Sequence, residues 1–291
     1  GNLHVVIDEP YVPILEETTI DCSIHTDPKE RISGLAKILA DTGADTLITA
    51  TSTNHNSLAS QLSGIPQRLG FGYKVHALCF THPLFVHRKD PPRHEAEFCL
   101  DYLRKFPDVD VEPARLPDFR IHSDPGKKVR RNHDLESSYV VVHPGHSGSA
   151  HHPSREQYRA IVERLSQDHD ILLTNKGSEE RRETRRIADE INAVVPLNRD
   201  LSIREFASLV SGASLFVGGS SGPLHLASLT RTPRIGLYSN DPRYEPAKWK
   251  PLGEDQIIIT PEEGRGLPGM KPGSLAEKVV ENTRTLLDGS C

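Results

Sequence analysis

A chain of 291 residues has length for two domains of ordinary size or one large α/β domain, with a sizeable buried core. Apolar residues make up 36% and charged residues 26%, and 35 basic against 40 acidic side chains leave a net charge of −5, which excludes a disordered chain and a basic nucleic-acid binder. Apolar runs such as Tyr139–Val142 and Ile257–Ile259 are far shorter than the roughly 20 residues of a membrane-spanning helix, so the chain is read as soluble and cytosolic. Cys22, Cys79, Cys99 and Cys291 stand far apart without a Cys-x-x-Cys pair, which predicts reduced thiols rather than a zinc knuckle or a disulfide framework.

The chain opens without Met and already reads as a strand, Leu3–Ile7, so its first domain is expected to be truncated at its start. A helix near 29–41 follows, in which Ile32, Leu35, Ile38 and Leu39 share a face. Next come a strand at Asp45–Thr49 and helices near 54–63 and 92–105. The stretch from Pro107 to His133 carries Pro113, Pro117, Pro125 and a basic run, Lys127, Lys128, Arg130 and Arg131, and reads as a strand edge plus interdomain linker. Beyond it, strands are predicted at Ser138–Val142, Ile171–Thr174, Ala193–Val195, Ser214–Val217, Arg234–Leu237 and Gln256–Ile259. The helix after the first of these starts at Ser154 as N-cap and buries Tyr158, Ile161, Val162 and Leu165 on one face; others are expected at 178–192, 202–211, 222–229 and 273–288. Strands alternating with helices in this way predict an α/β fold with parallel sheets and a complete doubly wound domain in the second half.

Three turns carry candidate chemistry. In Leu215-Phe216-Val217-Gly218-Gly219-Ser220-Ser221-Gly222-Pro223-Leu224-His225, a β run stops at two glycines and Gly-Pro opens a helix. The unpaired N–H groups and partial positive charge of such a helix start suit a phosphate, with Ser220 and Ser221 adding hydroxyls; an ordinary βα turn has the same glycine requirement. Gly218-Gly219-x-x-Gly222 is neither a P-loop nor Gly-x-Gly-x-x-Gly, which argues against a P-loop NTPase and a common NAD dehydrogenase. Val142-His143-Pro144-Gly145-His146-Ser147-Gly148-Ser149-Ala150-His151-His152 is a second strand running into a small-residue loop. Its histidines admit a metal reading, but their spacing is irregular and no acidic or cysteine ligand stands near, so a ligand loop at the carboxyl end of a strand is preferred and no metal is expected. The third turn, Thr174-Asn175-Lys176-Gly177-Ser178-Glu179-Glu180-Arg181, brings Glu179 or Glu180 to the same sheet edge, where a carboxylate can accept ribose hydroxyls or simply complement a helix dipole.

In this order the motifs resemble glycosyltransferase family 9, whose best-known members are ADP-heptose:lipopolysaccharide heptosyltransferases. Val142-His143-Pro144-Gly145 is similar to the family's His-Pro-Gly strand end, Gly177 to Arg181 to its Gly-x-x-Glu-Arg turn, and Ser220-Ser221-Gly222-Pro223-Leu224-His225-Leu226-Ala227 to its Asp-[Thr/Ser]-Gly-x-x-His-Leu-Ala signature. Thr232-Pro233-Arg234-Ile235-Gly236-Leu237-Tyr238 with Trp249 and Pro251, and in the first half Ala44 to Ile48 and Gly64 to Phe71, extend the likeness over most of the chain.

The resemblance implies a GT-B architecture: a Rossmann-like acceptor domain at 1–133, incomplete at its start, and a Rossmann-like nucleotide-sugar domain at 134–291 whose last helix packs back on the first. It implies an inverting, metal-independent glycosyltransferase that moves a heptose or hexose from a nucleotide-diphosphate donor, expected to be ADP-linked, to a lipopolysaccharide-core or other cell-envelope glycan. No cofactor is expected beyond the sugar donor, and peripheral contact with the inner membrane is expected. Carried over, Ser220, Ser221, Gly222 and Pro223 hold the diphosphate and donor sugar, with His225 beside them. Ser147 touches a phosphate, Glu180 the ribose and the backbone around Leu201 the base, with Gly145 among the nucleotide-sugar-binding residues.

Three departures qualify this. Ser220 replaces the signature Asp, which leaves the sugar open. His151 stands where the family has Lys or Arg, so activity is expected to fall as pH rises above about 7. The Gly-Asp turn that carries the family's catalytic base has no counterpart here, leaving Asp8 and Glu9 as weak substitutes. Two alternatives therefore stand beside the transferase: a non-catalytic or truncated nucleotide-sugar-binding protein, and a nucleotide-sugar epimerase of the same fold.

Overall fold

The computed structural model describes residues 2–29, 31–86, 93–135, 138–145, 152–191, 194–196, 199–262 and 266–288. The chain divides into two compact units, Gly1–Ala114 and Arg115–Cys291. This division falls inside the predicted linker, ahead of the expected boundary at 133/134. The later part of the linker is bound into the second unit because Gly126 N–H donates to Ser208 Oγ at 3.1 Å and Ser208 Oγ donates to Asp124 at 2.5 Å.

The first unit contains β1 (His4–Ile7), α1 (Val12–Glu16), β2 (Ser23–Thr26), α2 (Ile32–Asp41), β3 (Thr46–Thr49), α3 (Asn54–Leu62), β4 (Gln67–Phe71), β5 (His82–Leu84) and α4 (Glu95–Leu100). All its strand pairs are parallel, in two sheets of order β1-β2 and β3-β4-β5. The predicted amphipathic face of α2 is realised: Leu35, Ala36 and Leu39 pack with Ala59 of α3 and Ile65, against Val6 and Leu47 of the strands. Asp27, directly after β2, lies 3.5 Å from His55 in the first turn of α3, which places the carboxyl ends of both sheets at one edge. Between β1 and β3 runs a groove of about 1020 Å³ lined by every residue of both strands. The helix predicted at 92–105 is realised as α4 and a separate 3-10 turn at Leu103–Lys105.

The second unit contains α5 (Lys127–Asn132), β6 (Tyr139–His143), α6 (Arg155–Leu165), β7 (Asp170–Leu173), α7 (Gly177–Glu190), β8 (Val194–Pro196), α8 (Ile203–Ser211), β9 (Leu215–Gly219), α9 (Gly222–Leu229), β10 (Arg234–Leu237), α10 (Pro246–Trp249), β11 (Gln256–Ile259) and α11 (Pro272–Leu287). Its sheet is parallel throughout, in the order β11-β10-β9-β6-β7-β8.

Both faces of this sheet are covered, which is why every residue of β6, β9 and β10 is buried and why β6 and β9 open on continuous apolar runs rather than alternations. Successive side chains leave on opposite faces. Val140, Val142, Ile171, Leu173, Leu215 and Val217 meet α6, α7 and α11, while Tyr139, Val141, Leu172 and Phe216 meet α5, α8 and α9. The final helix lays Leu275, Ala276 and Val279 into the first of these cores.

A short helix, α5, occupies the basic stretch read as linker. Val129 is its buried anchor, and Arg130 pairs with Asp124 and reaches Ser208 O, while Lys127, Lys128 and Arg131 remain exposed. Among the described residues no helix is long and apolar enough to cross a membrane.

Candidate functional site

In the second sheet the strand order reverses between β6 and β9, and ligands of open α/β sheets bind at the carboxyl ends of the strands at such a point. Register pairs His143, the last residue of β6, with Gly218 of β9. That pairing sets Pro144-Gly145 beside Gly219-Ser220-Ser221-Gly222, two loops separated by 74 positions in sequence if counted from Gly145 to Gly219 (219 − 145). On the other side of β6, Thr174 N–H donates to Val142 O at 3.0 Å and brings the third predicted turn to the same edge.

The helices that leave this edge begin differently. Ser154 with Gln157 closes a capping box on α6, and Ser202 with Glu205 closes another on α8. At α7, Glu180 Oε2 accepts Lys176 N–H at 2.7 Å, and Asp200 Oδ1 accepts Gly177 N–H at 2.9 Å. Asp200 is also bound by Arg181 at 2.5 Å, and its carboxyl is held below the usual range by the Gly177 N–H and then by Arg181. At α9 the N-cap residue makes no capping bond: Ser221, in extended conformation, turns its hydroxyl back to Gly219 O at 3.3 Å. The first turn of α9 therefore offers an anion its partial positive charge and the Gly222 N–H, since Pro223 has no N–H and Leu224 N–H donates to Ser221 O at 3.1 Å; among the described residues a Cβ added at Gly222 would meet nothing within 4 Å.

Of the two acidic residues left open by the sequence, Glu179 is exposed while Glu180 is partly buried, with Oε2 4.0 Å from His143 Nε2. Gly145 packs against this carboxylate so closely that a side chain there would have to displace it. Gly177, with φ +80°, makes the turn that aims α7 at the site, a conformation that favours glycine.

His143 is buried, its Nδ1 lies 2.9 Å from Thr174 Oγ1, and the edge of Phe206 faces its ring at 5.9 Å between centroids. Burial pushes its pKa down to about 4, so the imidazole is neutral at pH 7 and its contact with Glu180 is not an ion pair. The hydroxyl of Tyr158 is buried against Gly219, and burial drives its pKa well above the normal phenol range against a smaller opposing contribution from the Gly219 backbone.

Ser220 is partly buried and its hydroxyl bonds Tyr238, whose pKa burial pushes up to about 12 and whose hydroxyl donates to Trp249 O at 2.8 Å. Pro223 stands in the first turn of α9, and His225 lies partly buried on the same helix. Leu201, directly before the α8 cap, packs partly buried on the core beneath it. The carboxylate that completes this cap, Glu205, is pulled down to about pKa 2, first by Arg199.

Ser147 and His151 lie outside the described residues. In the histidine-rich loop, His143 bonds Thr174 and His152 Nδ1 sits 2.9 Å from Pro153 O. No group of three or more metal-ligating side chains forms among the described residues. Asp8 and Glu9 belong to the first unit, where Asp8 is ion-paired to Lys29 at 2.6 Å and Glu9 is exposed.

Comparison with known proteins places these features in a family. The family model "Glycosyltransferase family 9 (heptosyltransferase)" matches residues 32–278. A curated Haemophilus influenzae protein with a provisional glycosyltransferase name is 29% identical over 237 residues, covering 76% of this chain and 68% of the relative. A family 9 glycosyltransferase structure from Veillonella parvula superposes with a TM-score of 0.80 at 16% identity, over 99% of this chain and 88% of that one. The E. coli ADP-heptose lipopolysaccharide heptosyltransferase II gives 0.78 at 15% identity, over 100% and 91%. An E. coli heptosyltransferase solved with ADP gives 0.74 at 16%, over 97% and 90%. These likenesses carry the GT-B fold, with Rossmann-like halves, over to this protein. The chain belongs to glycosyltransferase family 9 and is a nucleotide-sugar glycosyltransferase.

Proposed function

We propose that this transferase moves a heptose or hexose from an ADP-linked donor to a lipopolysaccharide-core or other cell-envelope glycan, with inversion and without a metal ion. The observation that carries this reading is the start of α9, whose N-cap residue makes no capping bond, at the point where the strand order reverses. A diphosphate seated there is stabilised as it leaves by the Gly222 N–H and the partial positive charge of the helix start, the role a metal would otherwise fill. Ser221, Gly222 and Pro223 frame that position, Ser220 and His225 flank it, and Gly145 faces it; the family resemblance assigns Ser147 and His151 to a phosphate. Glu180 receives the ribose hydroxyls and the backbone at Leu201 the base. The ADP of one E. coli relative's structure supports adenine as that base. Inversion follows from a single displacement, in which an acceptor hydroxyl loses its proton to a carboxylate as the sugar–phosphate bond breaks. The exposed Lys127, Lys128 and Arg131 supply positive charge for peripheral contact with anionic lipid at the inner face of the cytoplasmic membrane.

The test is calorimetric titration with ADP, UDP, GDP and their sugars, on the wild type and on Ser221→Trp, which fills the proposed phosphate position. Selective binding of ADP and its sugar that the substitution abolishes supports the reading; binding of none of the nucleotides overturns it.

A second reading, donor binding without transfer, is favoured by one observation: Asp8, the partly buried candidate base, is engaged by Lys29. Donor binding with no transfer to any glycan acceptor selects this reading.

A further inference from the structure

We propose that His143 is a positioning residue for the donor site, fixed by Thr174 and holding the Glu180 carboxylate in the orientation that accepts ribose hydroxyls. This inference rests on the reading that Glu180 meets the donor nucleoside. The established likeness concerns the His-Pro-Gly segment as a strand end; the inference concerns the imidazole itself.

The geometry is that of a side chain locked from three directions. His143 closes β6 with its ring buried, Phe206 stands edge-on to one side, and Nδ1 is 2.9 Å from Thr174 Oγ1. Nε2 is left pointing at Glu180 Oε2 across 4.0 Å. A neutral imidazole has one donor nitrogen and one acceptor, and the carboxylate decides which is which. With the proton on Nδ1, a lone pair would face a negative charge in a buried setting. With the proton on Nε2, the N–H faces Glu180 across 4.0 Å, an electrostatic contact longer than a hydrogen bond, and Nδ1 accepts from the Thr174 hydroxyl. The second arrangement is the stable one, and it makes Thr174 the residue that sets the tautomer.

The Glu180 carboxylate then has three neighbours that define its place. Lys176 N–H donates to Oε2 at 2.7 Å, His143 Nε2–H faces the same oxygen, and Gly145 closes the space beyond it. All of these act on Oε2, which leaves Oε1 as the oxygen assigned to a ligand hydroxyl. Capping of α7 alone needs the Lys176 contact and no imidazole, so the position of His143 is explained by orientation rather than by helix stability.

The experiment is a binding cycle between protein and ligand. The affinity of ADP is compared with that of 2′,3′-dideoxy-ADP for the wild type, His143→Phe, His143→Gln and Thr174→Val, with folding checked by near-UV circular dichroism. For the wild type, loss of the two hydroxyls is expected to weaken binding about tenfold, the scale of a hydrogen bond to a charged group. In His143→Phe that penalty collapses to less than about threefold because ADP weakens while the dideoxy nucleotide is unchanged; His143→Gln, which keeps a donor near the Nε2 position, restores it. Thr174→Val, which keeps the ring and loses the tautomer-setting hydroxyl, reduces the penalty and decides the matter if His143→Phe does not fold. A full penalty retained in folded His143→Phe, or in Thr174→Val if that variant alone folds, overturns the inference while leaving the donor site standing. Absence of the penalty in the wild type, or absence of nucleotide binding, overturns the underlying reading of Glu180 and the inference with it.

Discussion

A methyl group on Gly145 would lie 2.2 Å from Glu180 Oε2 and 2.7 Å from His143 Nε2, so the position of the carboxylate in the first turn of α7 depends on a glycine after β6. The clashing atoms are the far end of a flexible side chain and can move. Gly145→Ala is therefore expected to fold with a thermal midpoint near that of the wild type and to bind the donor nucleotide about tenfold more weakly, since the carboxylate is displaced. Calorimetric titration beside a melting curve checks this; unchanged affinity would remove Glu180 from the donor site.

His143 makes stability depend on pH. Its pKa is about 4 in the folded protein and about 6.5 in an unfolded chain, so below the latter value the unfolded state binds a proton that the native state refuses. The stabilisation is full above about pH 6.5 and is lost as pH falls toward the folded value. Urea midpoints measured at about pH 7.5 and pH 5 should fall more for the wild type than for His143→Gln; equal falls would mean that the imidazole takes up its proton without cost.

Gln157 joins three elements. Its carbonyl accepts Ser154 N–H in the α6 capping box, and its amide donates to Leu267 O at 2.7 Å and Met270 O at 2.8 Å, tying α6 to the approach of α11. Gln157→Ala keeps the backbone bond to Ser154 Oγ but loses the reciprocal half of the capping box and leaves two carbonyls without this donor in a buried setting, at a cost of roughly 2–4 kcal/mol. Chemical denaturation of the full chain measures it, and a change under about 0.5 kcal/mol would show that water replaces the side chain.

The second half of the fold was legible because its strands are buried on both faces and its helices are amphipathic, so two different periods alternate along the chain. Arg234–Leu237, Gln256–Ile259 and the helix at 222–229 coincide with their predicted limits, and the core face of α6 is the predicted one. The first half was less legible. β2 is a short, half-exposed Ser-Ile-His-Thr, β4 contains Gly70, and β5 contains Pro83, so none carries an apolar run. At the site, sequence identified the turns but not the partnership of side chains between them. Thr174 meets His143 through the pairing of β6 with β7, and Asp200 caps α7 from 23 positions away; such contacts follow from register and loop path, not from local pattern. The choice between Glu179 and Glu180 likewise required the direction in which α7 leaves the sheet.

The divided sheet of the first unit has a consequence for how the protein comes apart. Among the described residues β1 bonds only to β2, and β3 only to β4, so each presents a row of amides with no strand beside it, whereas β6 and β9 are enclosed on both sides. Opening such a margin disrupts few buried contacts. Deuterium uptake should therefore begin in β1 and β3 long before it reaches Val140–Val142, and a protease should trim the first unit while the six-stranded sheet of the second stays intact.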